Sequence, residues 1–339
     1  MRRREPSKRS RTGLPRRGRE RRLPAVHAQG PVVSHRHFTA RRLADEKEAQ
    51  GLTASLCIPA RDEAATIGTI IASARRHLVE TVPLLDEILV VDDGSTDATA
   101  EVACAAGARV VASAGVLPEA GPGSGKGDAI WKSIHASTGD LVCWVDGDIV
   151  DFGPRFVVGL LGPLLTWPAV EFVKGFYHRP GGGPTGGGGR VTELVARPLI
   201  SRLFPHLTGI IQPLAGEYAG RRRLLEALPV VEGWGVDLAL LVDVAQRAGL
   251  SALAQVDLGS RRHRHRPLDQ LGPQAMAVVV TALRRAGIPD RDAWGAALVS
   301  FDAAHHRREV TVELRERPPV RSLAAYRDRF GEPPRELSA

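Results

Sequence analysis

Asp146 and Asp148 close an apolar run, Leu141 to Val145, with only Gly147 between them. In an extended chain, side chains two positions apart project to the same side, so both carboxylates meet one place. Like charges held together raise one pKa unless a cation neutralises them. Oxygen donors select hard ions such as Mg²⁺ or Mn²⁺, usually completed by substrate phosphates. A metal-bridged anionic ligand is one reading of the triplet, and an exposed acidic turn is the other.

Four further clusters carry polar chemistry. "VVDDGSTD" (90–97) has Thr96 and Asp97 suited to capping the next helix, which leaves Asp92 and Asp93 to accept from a sugar hydroxyl or an imide edge. "GPGSGKGD" (121–128) fails the Walker pattern, with Ala120 and Gly127 where Gly and Ser or Thr are needed. It still presents Lys126 at the start of a helix, a phosphate or pyrophosphate contact. "GGGGRVTEL" (186–194) opens onto a helix whose first turn carries Arg190 and Thr192, an anion site or a plain linker. "GSRRHRHR" (259–266) alternates His263 and His265 among four arginines, a pattern that phosphates would balance. A histidine there also offers nitrogen to a metal held mainly by oxygens, which favours Mn²⁺ slightly. No Ser/His/Asp set and no zinc-type cysteine spacing competes with these.

Positioning such groups falls to strands alternating with helices. Strand-like runs at 52–60, 87–95, 108–113 and 140–148 are separated by amphipathic stretches, a βαβ rhythm. The fold class is therefore α/β, a Rossmann-like, mostly parallel sheet with helices on both faces. Ligands in such sheets bind beyond the carboxyl ends of the strands, where Pro59–Glu63, Asp92–Asp97 and Asp146–Asp148 all fall. The second half reads less regularly: a strand at 169–179, a helix at 190–204, helices over 221–229 and 234–249, a strand into the basic run, and a helix over about 268–286.

The net charge of +8 belongs to one end. Residues 1–22 hold 11 of the 46 Lys+Arg and 2 of the 38 Asp+Glu, leaving a net −1 over 23–339. Residues 1–45 are expected to be a basic, disordered tail, without specific nucleic-acid binding. The tail lacks the apolar stretch of a secretory signal, and no run of about 18 apolar residues predicts a membrane span. Cys57, Cys104 and Cys143 are expected as buried free thiols in a reducing cytoplasm.

In order, Pro59–Glu63, "VVDDGSTD", "GKGDAIW", "WVDGD", "VKGFYHRP", "GGGRVTELVARPL", "QPLAGEYAGRR", "WGVDLALLVD" and "QVDLGSRRHRHRPL" resemble the glucosyl-3-phosphoglycerate synthases, retaining GT-A glycosyltransferases, over roughly 52–287. The resemblance implies a GT-A domain at 46–290, a partly irregular C-terminal extension at 291–339, and a homodimer. It implies transfer of glucose from a nucleotide sugar, UDP-glucose being usual, to the 2-hydroxyl of 3-phosphoglycerate. A GT-A transferase with another donor sugar or a polyprenyl phosphate acceptor is the alternative. By position, Pro59, Ala60, Glu63 and Asp93 would line the uridine pocket, with Lys126, Asp146 and Arg261 on the donor. Asp148 and His263 would hold Mg²⁺ or Mn²⁺. Gly189, Arg190, Thr192 and His265 would hold the acceptor, and Asp237 would stand beside the reacting sugar with Lys126. The family has Ser at 147, commonly Asn at 62 and 265, and Glu at 237; this chain has Gly147, Asp62, His265 and Asp237.

Overall fold

The computed structural model describes residues 30–331 apart from 124, 180–188, 263–267, 290–296, 303 and 313. β1 (Val32–Ser34) and α1 (Ala40–Ala49) precede β2 (Ala54–Ala60), α2 (Ile67–Arg75), β3 (Glu87–Asp92), α3 (Thr99–Ala105) and β4 (Arg109–Ala112). α4 (Gly125–Ala136), β5 (Leu141–Trp144), α5 (Arg155–Thr166) and β6 (Phe172–His178) follow. Next come α6 (Arg197–Leu203), β7 (Tyr218–Arg221), α7 (Arg222–Leu225), β8 (Val230–Val231), α8 (Val236–Ala248) and β9 (Leu253–Ser260). α9 (Leu268–Arg285), the hairpin of β10 (Ala297–Phe301) and β11 (Arg307–Thr311), β12 (Glu316–Arg317) and α10 (Ala324–Phe330) end the described chain.

Eight strands form one sheet in the order β1-β9-β6-β7-β5-β2-β3-β4. β7 alone runs antiparallel to its neighbours. Leu56, Ile58 and Val90 pack on one face with Ile67, Ile70 and Leu161, while Cys57, Leu89 and Val91 pack on the other with Trp131. Burial on both faces explains why these strands read as continuous apolar runs. The chain moves outward from β2 to β3 and β4, then returns to place β5 on the other side of β2. The crevice at that reversal lies beyond the carboxyl ends of β2 and β5, which carry Pro59–Glu63 and Asp146–Asp148.

Two expectations need correction. The tail was expected to run to residue 45, but residues 30–45 belong to the fold. Val32–Ser34 pair with Gln255–Asp257, Thr39 caps α1, and Leu43 and Ala44 are buried. A three-residue edge strand and a charged helix with one narrow apolar stripe leave little signal beside so many basic residues. Residues 1–29 lie outside the described residues. Cys104 is exposed on α3, whereas Cys57 and Cys143 are buried in strands as expected. The C-terminal extension is partly built into the domain, because β12 pairs with β8 and the Trp131 indole donates to the Pro318 carbonyl at 2.8 Å. Among the described residues no helix is long and apolar enough to cross a membrane.

Candidate active site

β2 delivers Pro59 and Ala60 to the crevice, and the chain then turns sharply at Asp62, whose φ is 56°. The Asp62 carboxylate accepts from the Thr96 amide at 2.7 Å and the Thr96 hydroxyl at 3.1 Å, while its own amide donates to Ser95 Oγ at 3.0 Å. Those donors, the Thr96 amide first, hold the Asp62 carboxyl below its usual range. Asp62 thus braces the loop after β3. Within that loop the two aspartates divide their roles. Asp92 accepts from the Ser95 amide at 3.2 Å, whereas Asp93 turns to the crevice and accepts from the Gly125 amide at 2.8 Å. Burial raises the Asp93 pKa, only partly offset by that bond and by Arg61.

Gly125, with φ of 79°, begins α4 and puts Lys126 into the crevice. The Lys126 ammonium stands 2.9 Å from Asp146 Oδ1 and 3.3 Å from Asp237 Oδ1, at the start of α8. Burial works against its charge, but Asp146 and Asp237 prevail and hold its pKa well above the usual value. Burial also works against Asp146, where Lys126 and Arg261 prevail and keep the carboxyl well below its ordinary range. Room for this pair depends on Gly216, where a Cβ would lie 2.4 Å from both Asp146 Oδ2 and Lys126 Nζ.

Arg261 answers what neutralises the two carboxylates from behind. Its Nη2 donates to Asp146 Oδ2 at 2.9 Å and Asp148 Oδ1 at 2.8 Å, and its Nη1 to the Tyr177 hydroxyl at 2.7 Å. Its Nε is 3.2 Å from the carboxylate of Glu217, which is fully buried. Burial raises the Glu217 pKa, with Arg261 opposing. Expected against the donor, Arg261 is only 3% exposed and lies beneath the acidic pair.

A cavity of ≈ 380 Å³ opens above these groups, lined by Pro59, Ala60, Arg61, Asp62, Glu63, Asp93, Gly125, Lys126, Asp146, Gly147, Asp148 and Trp234. All the residues expected at the uridine pocket, and both of the DxD aspartates, therefore share one wall. Asp237 joins them through Lys126. Gly189 lies beside Arg179, with Arg190 exposed and Thr192 buried. His263 and His265 lie outside the described residues.

The donor set suits a hard divalent ion. Asp148 keeps one carboxylate oxygen on Arg261 and the other without a hydrogen bond among the described residues, at the cavity wall. Among those residues no cluster of three His, Cys, Asp or Glu could hold a metal alone. An ion at Asp148 would need His263 or ligand oxygens, the usual arrangement for Mg²⁺.

Sequence reasoning singled out neither Trp234, Tyr177, Glu217, Gly216 nor Lys174. Tyr177 and Glu217 sit in strand-like stretches with no polar cluster around them, so only the fold brings them to Arg261. Lys174 did carry a signal, a rare lysine inside an apolar strand. It is 1% exposed, 4.6 Å from the Tyr218 ring centre and 3.4 Å from the Asp237 carbonyl, and burial pulls its pKa down to about 8.

A profile of glycosyl transferase family 2 matches residues 55–223. The glucosyl-3-phosphoglycerate synthase of Mycolicibacterium smegmatis is 46% identical over 285 residues, 82% of this chain and 92% of that protein. The crystal structure of mannosyl-3-phosphoglycerate synthase from Rubrobacter xylanophilus has a TM-score of 0.81 at 38% identity, covering 86% of this chain and 97% of that one. That of glucosyl-3-phosphoglycerate synthase from Mycobacterium tuberculosis, in complex with Mn²⁺, UDP-glucose and phosphoglyceric acid, has a TM-score of 0.78 at 44% identity, covering 87% and 99%. The same enzyme has been solved with Mg²⁺ and UDP.

Proposed function

The chain belongs to the glucosyl-3-phosphoglycerate synthase family, and from that premise we propose that its crevice moves glucose from UDP-glucose to the 2-hydroxyl of 3-phosphoglycerate with retention at the anomeric carbon. The observation that carries this reading is Lys126, held between Asp146 at 2.9 Å and Asp237 at 3.3 Å on the cavity wall. An ammonium fixed in place, and kept charged by two carboxylates, can stabilise a departing diphosphate without reorganising. Asp237 presents both oxygens to that ammonium, within 3.3 and 3.4 Å, which suits it to orient the sugar and not to attack it. The diphosphate oxygen released from the anomeric carbon then takes the proton of the acceptor hydroxyl on the same face. No protein nucleophile enters.

Pro59, Ala60, Glu63 and Asp93 hold the uridine in this reading. Asp146 faces the donor, and Arg261 sets the acidic pair from below. Asp148, with His263, holds Mg²⁺ or Mn²⁺, which supplies positive charge to the diphosphate when bound. Gly189, Arg190, Thr192 and His265 take the acceptor. The active form is a cytoplasmic homodimer, with 46–290 as the catalytic domain extended at its start to residue 30.

A second reading, mannosyl transfer to the same acceptor, is favoured by two observations. Position 237 holds Asp, one methylene shorter than the family's Glu, and the mannosyl-3-phosphoglycerate synthase is also a close structural match. A screen of UDP- and GDP-linked glucose and mannose against 3-phosphoglycerate and polyprenyl phosphate, with and without Mg²⁺, tests both. α-Glucosyl product from UDP-glucose and 3-phosphoglycerate is expected. Product only on polyprenyl phosphate, or β-configured product, would refute the reading.

A further inference from the structure

Arg179 follows directly on β6, and the protein accounts for only part of its guanidinium. Nη2 donates to the Tyr177 hydroxyl at 3.0 Å, and the guanidinium carbon stands 5.2 Å from the Tyr177 ring centre. Nε is buried and meets no acceptor. Among the described residues no carboxylate pairs with it. Nη1 lies toward Gly189, where a Cβ would come within 2.8 Å of it. Arg261 shares the same phenol oxygen but finds Asp146, Asp148 and Glu217 as counter-charges. Of two guanidiniums on one tyrosine, Arg261 pairs directly with three carboxylates, while Arg179 makes no ion pair among the described residues and acts on the buried Glu217 only from a distance. A buried cationic donor without an acceptor costs free energy, and the guanidinium fork matches a carboxylate in two bonds.

We propose that Arg179 binds the carboxylate of the acceptor, an inference that rests on the reading of this crevice as a 3-phosphoglycerate transferase site. Its placement decides which acidic end it takes. Three hydrogen bonds run from Arg179 to Tyr177, on to Arg261 and on to Asp148. Arg179 therefore stands between the Gly189 segment and the acidic pair beneath the donor. The acceptor's carboxylate is bonded to the carbon that carries the reacting hydroxyl, and its phosphate lies one carbon further out. A cation on the side of the acidic pair meets the carboxylate, and Arg190 and Thr192 remain for the phosphate.

The test crosses variants of the full chain with two acceptor-like molecules. Arg179→Met removes the fork, and Arg179→Lys keeps charge and stem. KM is measured for 3-phosphoglycerate, and an inhibition constant for glycerol 3-phosphate, which keeps hydroxyl and phosphate but lacks the carboxylate. In Arg179→Met, KM for 3-phosphoglycerate is expected to rise about tenfold or more, as for loss of a charged hydrogen bond. The rise should be smaller in Arg179→Lys, with donor KM unchanged in both and no change for glycerol 3-phosphate. A role in packing alone would lower the melting temperature and spare KM. An unchanged KM, or an equal penalty on both molecules, overturns the proposal, and Arg179→Lys decides it if the Met variant does not fold. Wild-type enzyme that leaves 3-phosphoglycerate untouched would overturn the functional reading itself, a failure seen before any variant is made.

Discussion

Arg261 reaches Asp148 across 113 positions of sequence and occupies one carboxylate oxygen, Nη2 to Oδ1 at 2.8 Å. The second oxygen has no hydrogen bond among the described residues and Asp148 lines the cavity, so the same aspartate can hold its internal counter-ion and still offer a ligand. Asp148→Asn keeps an oxygen for Arg261 and loses the outward anion. Mn²⁺ affinity in the presence of UDP, read by electron paramagnetic resonance, should fall at least by the roughly 10- to 100-fold that losing even an outer-shell partner costs. The melting temperature should barely move. A Mn²⁺ titration indistinguishable from wild type would remove Asp148 from the metal site.

Gly216→Ala is expected to damage activity and spare the fold. The atoms nearest its Cβ would be the tips of Asp146 and Lys126, at 2.4 Å, and flexible tips move. Displacing that pair by about 1 Å should lower kcat/KM by up to roughly 100-fold. Gly127→Ala makes the contrast, because its Cβ would fall 1.9 Å from the Val231 carbonyl oxygen, which is backbone. That variant should lose stability first. Steady-state kinetics beside thermal melts separate the two, and a Gly216→Ala enzyme within twofold of wild type would count against the arrangement described.

What was legible in the sequence follows from how far each signal reaches. Asp146, Asp148, Lys126 and Asp93 announce themselves because a polar cluster interrupts an apolar run at one spot, and parallel strands bring such spots to one edge. The counter-charges do not announce themselves. Tyr177 meets Arg261 across 84 positions and Arg317 meets Asp128 across 189, and no local period records either contact. β1 was lost for a related reason: three residues of strand owe their place to β9, far along the chain. Cys104 reads as buried because an alanine-rich helix looks apolar on most sides, while α3 buries only Thr99 and Ala103.

Lys174 gives stability a signature in pH. In the folded protein its pKa is about 8, pulled down by burial first, against an unperturbed 10.5. Between those values the unfolded chain holds a proton that the folded chain has released, so raising the pH through this window favours the folded state. Below about pH 8 both states are charged, and the folded state bears the full cost of burying that charge. Lys174→Met removes this titrating group. Its stability relative to wild type should therefore be most favourable near pH 7 and decline toward pH 10, by up to about 3 kcal/mol over the window. Urea denaturation of both proteins at pH 7, 8.5 and 10 reads this directly, and a difference independent of pH would contradict it.

Arg317 ties the C-terminal extension to both halves of the crevice. It pairs with Asp128 at 2.9 Å and with Glu232 at 2.8 Å, and donates to the Ala120 carbonyl at 2.7 Å. Asp128 is fully buried, two residues after Lys126, and Glu232 stands two residues before Trp234. Lys132 at 2.7 Å remains for Asp128 if Arg317 is removed, and Glu232 loses its 2.8 Å pair with Arg317. Arg317→Met should then cost about 3–5 kcal/mol, the range for breaking a buried pair from one side. Adding Glu232→Gln should restore part of that loss, because a neutral amide at 232 no longer needs the cation. Guanidinium denaturation of the two single variants and the double variant closes the cycle. Strictly additive losses would mean that Arg317 and Glu232 are close in space without depending on each other.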